Sequence, residues 1–289
     1  MKKTFFLLIY FFIFTNLFCF EWPISEVTEN SFNSYFGQLR GDKISTSLVF
    51  NSPSEVKNSE DGRILMILTN FDDDDSDFFP STLGNAILIS HNDELISVYG
   101  NLDKNSITIN EKTETFIEKG TILGKTGNSG WQTDQSNLEF QIIDTKNSSA
   151  INPKILMSRL ENENKYILSD ISLVNKNGEN FSINTKKTFP SGLYRVYQKK
   201  NEILTPSKTS ISFNGVIADI ISYDTINQEN GKIYVKGSKK KYISEDIYPQ
   251  RNRFLLGEIL LTPGKITLGV NATDSLGENK FLIYNISVY

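Results

Sequence analysis

Between Gly84 and Gln141 the chain alternates short apolar runs with Gly and Asn turns. Ala86–Ser90, Leu95–Tyr99, Ser106–Asn110 and Leu138–Ile143 have the composition of short β-strands. Gly120, Gly124, Gly127 and Gly130 cluster between them, as tight corners in a compact β-fold require. Upstream, Gly62–Leu68 follows a D-G-R-I turn and reads as a further strand. Lys154–Glu163 carries Ile155, Leu156 and Leu160 at helical spacing and predicts about two helical turns.

After the charged, Asn-rich stretch Glu161–Lys165 the pattern changes. From Tyr166 onward, short alternating runs recur: Ile167–Val174, Phe181–Asn184, Leu193–Gln198, Ser210–Phe213, Gly215–Tyr223, Lys232–Val235, Arg253–Leu261, Lys265–Ala272 and Phe281–Val288. N-G, P-S-G and P-G turns separate them. Ile266, Leu268, Val270 and Ala272 alternate so that one face of their strand enters a core. Short strands with regular turn signals predict a β-sandwich. The expected fold is therefore all-β, in two domains: 21–163 and 166–289.

Composition narrows the function. The chain has 289 residues and a net charge of −4, from 30 basic and 34 acidic residues mixed along its length. No basic face emerges, which argues against nucleic acid as a partner. Asp72, Asp73, Asp74, Asp75 and Asp77 form an acidic run without the Gly and distal Glu of a calcium loop, so it reads as a solvated loop. Residues 1–20 follow the plan of a secretory signal peptide: Lys2 and Lys3, an apolar run Phe5–Phe14, then a polar chain. Cys19 is the single cysteine, so the mature chain forms no internal disulfide. It is also a position where lipidation is conceivable, although bulky Phe18 precedes it. The expected location is the periplasm or cell envelope.

The order of motifs around Gly84–Gln141 resembles the β-sheet core of the lysostaphin-like (LytM-type) zinc endopeptidases of peptidoglycan. The carriers are G-N-A-I-L-I-S-H, S-V-Y-G-N-L, I-E-K-G-T-I-L-G-K-T-G-N-S-G and S-N-L-E-F-Q. W-P-I-S and S-Y-F-G-Q-L-R resemble the opening of that core, and Asn152–Pro153 resembles its close. The segment L-L-T-P-G-K-I-T-L-G-V-N-A-T-D-S-L-G-E-N-K is similar to the last hairpin of bacterial immunoglobulin-like modules.

The endopeptidase resemblance implies a zinc held by a His and an Asp of an early motif and by the second His of H-x-H. It also implies a base and a transition-state stabiliser from two further histidines. This chain departs at each of those positions. Ser45 falls at the early His and Val49 at the Asp, Asn101 replaces the His of Y-x-H-L, and Asn137 and Glu139 replace H-x-H. Only Glu139 retains a metal-binding side chain, and zinc needs three protein ligands beside an open position. His91, the sole histidine, reads as a structural residue. No Ser-His-Asp or Cys-His nucleophile system can be assembled.

These departures imply a pseudoenzyme with no metal and no cofactor. Its degenerate groove would be lined by Ser45, Val49, Asn101, Asn137 and Glu139, with Tyr99 and Trp131 at a binding rim. The resemblance implies peptidoglycan or a cell-wall hydrolase as partner. Two alternatives stand beside it. One is an active peptidase with a misaligned metal site or one that uses carboxylates such as Asp61, Asp93, Asp103 and Asp134. The other is a structural surface protein that binds through its C-terminal sandwich.

Overall fold

The computed structural model describes residues 20–51, 53–69, 81–110, 115–130, 136–199 and 204–289. The signal segment up to Cys19, the acidic run Asp72–Asp77, Asp134 and Trp131 lie outside the described residues.

The described chain is built almost wholly of antiparallel strands. Leu95–Leu102 runs between Asn85–Ser90 and Leu138–Asp144, and Gly62–Leu68 and Phe116–Ile117 extend the sheet beyond Asn85–Ser90. The strand Leu138–Asp144 has two partners on its other side. Leu138–Phe140 pairs with Leu48–Phe50, and Ile142–Asp144 pairs with Ser149–Ile151. Leu48, Phe50, Tyr99, Leu102, Leu138 and Phe140 are fully buried and form one core, with the Tyr99 and Phe140 rings 5.2 Å apart. Burying each such side chain contributes about 1.5–3 kcal/mol, and this holds the centre of the sheet rigid beneath the candidate site.

The C-terminal half forms two facing sheets. One contains Lys208–Phe213, Val216–Glu229, Gly264–Thr273 and Asn279–Val288, and the other contains Asn180–Ser182, Ile171–Asn175, Gly192–Lys199 and Arg253–Leu261. The expected alternation is realised in Gly264–Thr273, where Ile266, Leu268, Val270 and Ala272 are buried. Thr209 Oγ1 donates to the Leu256 carbonyl (2.7 Å) and Tyr223 Oη to the Leu255 carbonyl (2.6 Å), which ties the two layers together.

The halves share a sheet. Ser149–Ile151 pairs with residues 225–227 of Val216–Glu229, so the main sheet runs unbroken from one half into the other. Asp224 supports this seam: its carboxylate accepts from the Ser207 hydroxyl, and its carbonyl from the Asn152 amide at 2.8 Å. Burial raises its pKa.

Two local expectations change. Lys154–Glu163 forms no helix, only the single 3-10 turn Pro153–Ile155 capped by Asn152. Lys154 is drawn instead into a buried pairing with Glu163 (3.0 Å) and Glu29 (3.6 Å). Ser106–Asn110 joins no sheet, because Asp103 caps a 3-10 turn over Lys104–Ser106 and redirects the chain.

Candidate functional site

Strand register brings the family-aligned positions together. Glu139 lies opposite Val49 on one side and Gly100 on the other. Two of the three positions expected at the metal ligands, Val49 and Glu139, are thus cross-strand neighbours, and Val49 is only 2% exposed. Ser45, Asn101, Asn137 and Glu139 are all buried as well.

Glu139 is held by a residue that sequence reasoning placed only in the opening motif. Arg40 Nη1 donates to Glu139 Oε1 at 3.0 Å, and Nη2 donates to Oε2 at 3.2 Å. The Ser47 hydroxyl donates to Oε1 at 2.9 Å, Arg40 Nη1 reaches Ser47 Oγ at 3.2 Å, and Ser45 Oγ lies 3.3 Å from Ser47 Oγ. A planar guanidinium matches both oxygens of a carboxylate, the strong form of this ion pair. Arg40 arrives on the short ribbon in which Leu39–Arg40 pairs with Lys43–Ile44. The signal was the Arg that ends S-Y-F-G-Q-L-R, where it stood as a family landmark without a partner.

Asn101 does different work. It sits at φ +64°, a conformation Asn tolerates. Its side-chain amide donates to the carbonyls of Asn137 (2.6 Å) and Gly127 (3.0 Å), and its Oδ1 accepts from the Gly130 amide at 2.8 Å. Asn101 therefore pins the Gly-rich turn onto the strand that carries Glu139. A Cβ at Gly127 would meet the Asp103 amide nitrogen at 2.4 Å, which explains the need for glycine in this turn.

Tyr99 does not reach a rim. It is fully buried, its hydroxyl donates to Asn58 Oδ1 at 3.2 Å, and it accepts from the Ser59 amide at 2.8 Å. An alternating strand at the centre of a covered sheet turns this residue into the core. Burial also raises its pKa.

His91 is structural in its surroundings. Its Nδ1 lies 2.9 Å from the Asp61 carbonyl, its Nε2 lies 2.7 Å from Ser97 Oγ, and Phe20 packs edge-on at 5.1 Å. Burial lowers its pKa, opposed by the Asp61 carbonyl.

Two of the carboxylates of the active-enzyme alternative, Asp61 and Asp103, accept hydrogen bonds from backbone amides. Asp61 accepts from the Lys119 amide at 2.7 Å, and Asp103 accepts from the Asn105 amide at 3.1 Å. Among the described residues, no three His, Cys, Asp or Glu side chains gather as a metal site.

The C-terminal half braces this region. Thr205 Oγ1 donates to the Phe36 carbonyl (2.8 Å), and Tyr248 Oη donates to the Gly37 carbonyl (2.7 Å). Both contacts fall just before the ribbon that presents Arg40.

Comparison with known proteins agrees with this domain. Residues 45–153 match the model of Peptidase family M23, and the chain belongs to that family. A second family model, which names no activity, matches residues 165–289. An uncharacterized protein of Treponema pallidum (strain Nichols) is 31% identical over 124 residues, covering 40% of this chain and 81% of that protein. Similar solved structures include a zinc-containing peptidase from Vibrio cholerae, at 16% identity and TM-score 0.37, covering 49% of this chain and 40% of that one. Helicobacter pylori Csd3 matches at 19% identity and TM-score 0.36, covering 52% of this chain and 37% of that one. The SpoIIQ–SpoIIIAH pore-forming complex matches at 15% identity and TM-score 0.35, covering 50% of this chain and 94% of that one. The chain thus spans less than half the length of the Vibrio and Helicobacter proteins. No helix among the described residues is long and apolar enough to cross a membrane.

Proposed function

We propose that the M23 domain of this chain is non-catalytic and acts at the cell envelope as a binding scaffold for peptidoglycan or as a regulator of a wall hydrolase. The observation that carries this reading is the Arg40–Glu139 bridge opposite Val49. The zinc of the family does not fit these residues. Val49 has no donor atom, Ser45 is bonded to Ser47, and both oxygens of Glu139 are taken by a guanidinium. A structural or catalytic zinc needs a set of anionic or imidazole ligands, and one neutralised carboxylate does not supply it.

The basic and apolar start of the chain supports export to the periplasm or envelope. Two facing sheets support a C-terminal immunoglobulin-like sandwich, and the second family match from residue 165 supports its start near residue 166. Trp131, in the Gly-rich sequence G-N-S-G-W-Q, is the residue we propose as a contact for the ligand. Purified chain is tested by co-sedimentation with isolated peptidoglycan, with released amines assayed in parallel. Sedimentation without amine release, weakened by Trp131→Ala, is the expected result. Chelator-sensitive release of amines overturns the non-catalytic reading, and failure to sediment overturns binding to peptidoglycan.

A further inference from the structure

A second site, whose lining includes no residue of the M23 match, lies on the face of the sheet formed by Ile171–Asn175, Gly192–Lys199 and Arg253–Leu261. A depression of about 510 Å³ opens there, lined by Lys176, Arg195, Tyr197, Lys240, Arg253 and Glu258 among others. It continues at Arg253 into a hollow of about 330 Å³ over Ser172, Ser182 and Asn252, which also touches Asp170. On the other side it continues at Asn175 and Lys176 into one of about 390 Å³ beside Gly192 and Leu193, which also touches Glu179. The three hollows share these residues and together follow the strand Gly192–Lys199 as a groove.

Charge is uneven along this groove. In the central hollow, four cations face one carboxylate, Glu258. Glu258 is engaged by Lys240 and by Arg195, and Asp246 also holds Arg195 at 2.7 Å. Lys176 and Arg253 take part in no ion pair among the described residues, so the hollow keeps a positive excess. The central strand of the groove floor, Gly192–Lys199, is bonded to Ile171–Asn175 on one side and Arg253–Leu261 on the other, so it offers no edge for an extended peptide to join. Recognition over this strand comes from side chains, and Gln250, Asn252, Ser172 and Ser182 offer amide and hydroxyl groups of both donor and acceptor kind. That combination suits a chain rich in hydroxyls that carries negative charge.

We propose that this groove binds an anionic glycan, whose carboxylate or phosphate groups meet Lys176, Arg195, Lys240 and Arg253. The site is independent of the M23 residues, so its failure and theirs are distinguishable. The full chain is titrated with polygalacturonate, with phosphomannan, with neutral dextran of matched length and with polyglutamate. Binding to one of the acidic glycans at least tenfold tighter than to dextran or polyglutamate is expected, weakening as salt shortens the reach of the charges. Whichever acidic glycan binds more tightly identifies the charged group. The double variant K176Q/R253Q removes two cations that hold no ion pair, and it should lose at least tenfold in affinity with an unchanged unfolding temperature. The proposal is overturned if dextran binds equally well, if polyglutamate matches the better glycan, if neither acidic glycan binds, or if the folded double variant binds like the parent.

Discussion

Arg40 and Glu139, 99 residues apart in the chain, meet through two parallel hydrogen bonds of 3.0 and 3.2 Å. Of the five residues proposed for the degenerate groove, Glu139 is the one with a metal-binding type of side chain, and its charge is answered from within the chain. The side chain of Glu139 is 7% exposed and that of Arg40 is 19% exposed. Removing one partner of a buried pair strands the other and costs about 3–5 kcal/mol. Arg40→Ala is therefore expected to destabilise strongly in urea unfolding. Arg40→Ala with Glu139→Gln should recover much of that loss, because the stranded charge is gone. A single variant within about 0.5 kcal/mol of the parent, the range of neutral surface changes, would show that the bridge carries no weight.

Lys154 is held in a comparable buried cluster. Its side chain is 5% exposed, between Glu29 and Glu163 at 8% and 5%, and it lies over the Phe32 and Tyr35 rings. Lys154→Met keeps most of the apolar stem but leaves two buried carboxylates without a cation. We expect a loss of about 3 kcal/mol or more, measured by denaturant unfolding at neutral pH. A loss below about 1 kcal/mol, the scale of an exposed ion pair, would contradict the structural role of this cluster.

The sole histidine makes a pH prediction simple to read. Burial lowers the pKa of His91 in the folded state, so the fold favours the neutral ring. Its contribution to stability is fully present above the unfolded value of about 6.5 and is lost as pH falls through the lower folded pKa. The single imidazole resonance in an NMR titration should have its midpoint below about 6.5. His91→Gln should flatten the stability profile over that acidic window. A midpoint at or above the unfolded value would mean that the ring is more solvated than its contacts imply.

The shared sheet predicts cooperative unfolding of the two halves. Ser149–Ile151 is bonded on both sides, to Leu138–Asp144 and to Val216–Glu229. Residues 21–163 alone would expose that strand as an edge, a recognised route to aggregation. One calorimetric transition is expected for the full chain, with poor solubility for the truncated form. Tyr248→Phe, which loses the bond to the Gly37 carbonyl, should cost about 1 kcal/mol. Two well-separated transitions would show that the seam transmits little stability.

Much of this architecture was legible in residues. The apolar runs Ala86–Ser90 and Leu138–Ile143 are strands, and the family-like segments between Gly84 and Gln141 fall within the matched residues 45–153. The glycines of the 120–130 turn were visible because close backbone approach admits no side chain at Gly127. What escaped was long-range. Arg40 meets Glu139 only after a short ribbon folds back, and nothing local in L-R-G-D-K announces it. Lys154–Glu163 has helical spacing, but burying Lys154 beside two carboxylates outweighs weak local propensity. Tyr99 offers aromatic stacking area, which suggested a rim position, while its strand parity directs it inward to Asn58 and Ser59. The pairing of Ser149–Ile151 with residues 225–227 was also invisible, since β-partners so distant in sequence share no local signal.

Metal stoichiometry tests the non-catalytic reading most directly. The chain is purified without chelator or affinity metal, equilibrated with zinc, and analysed for bound zinc after extensive buffer exchange. Loss of even an indirect supporting group costs a zinc site about 10–100-fold in affinity, and the proposed reading puts Val49 and Ser45 where direct ligands would be needed. No stoichiometric zinc is expected, and no difference between the parent and Glu139→Gln. One zinc retained per chain, lost in Glu139→Gln and accompanied by chelator-sensitive cleavage of peptidoglycan, would contradict that reading.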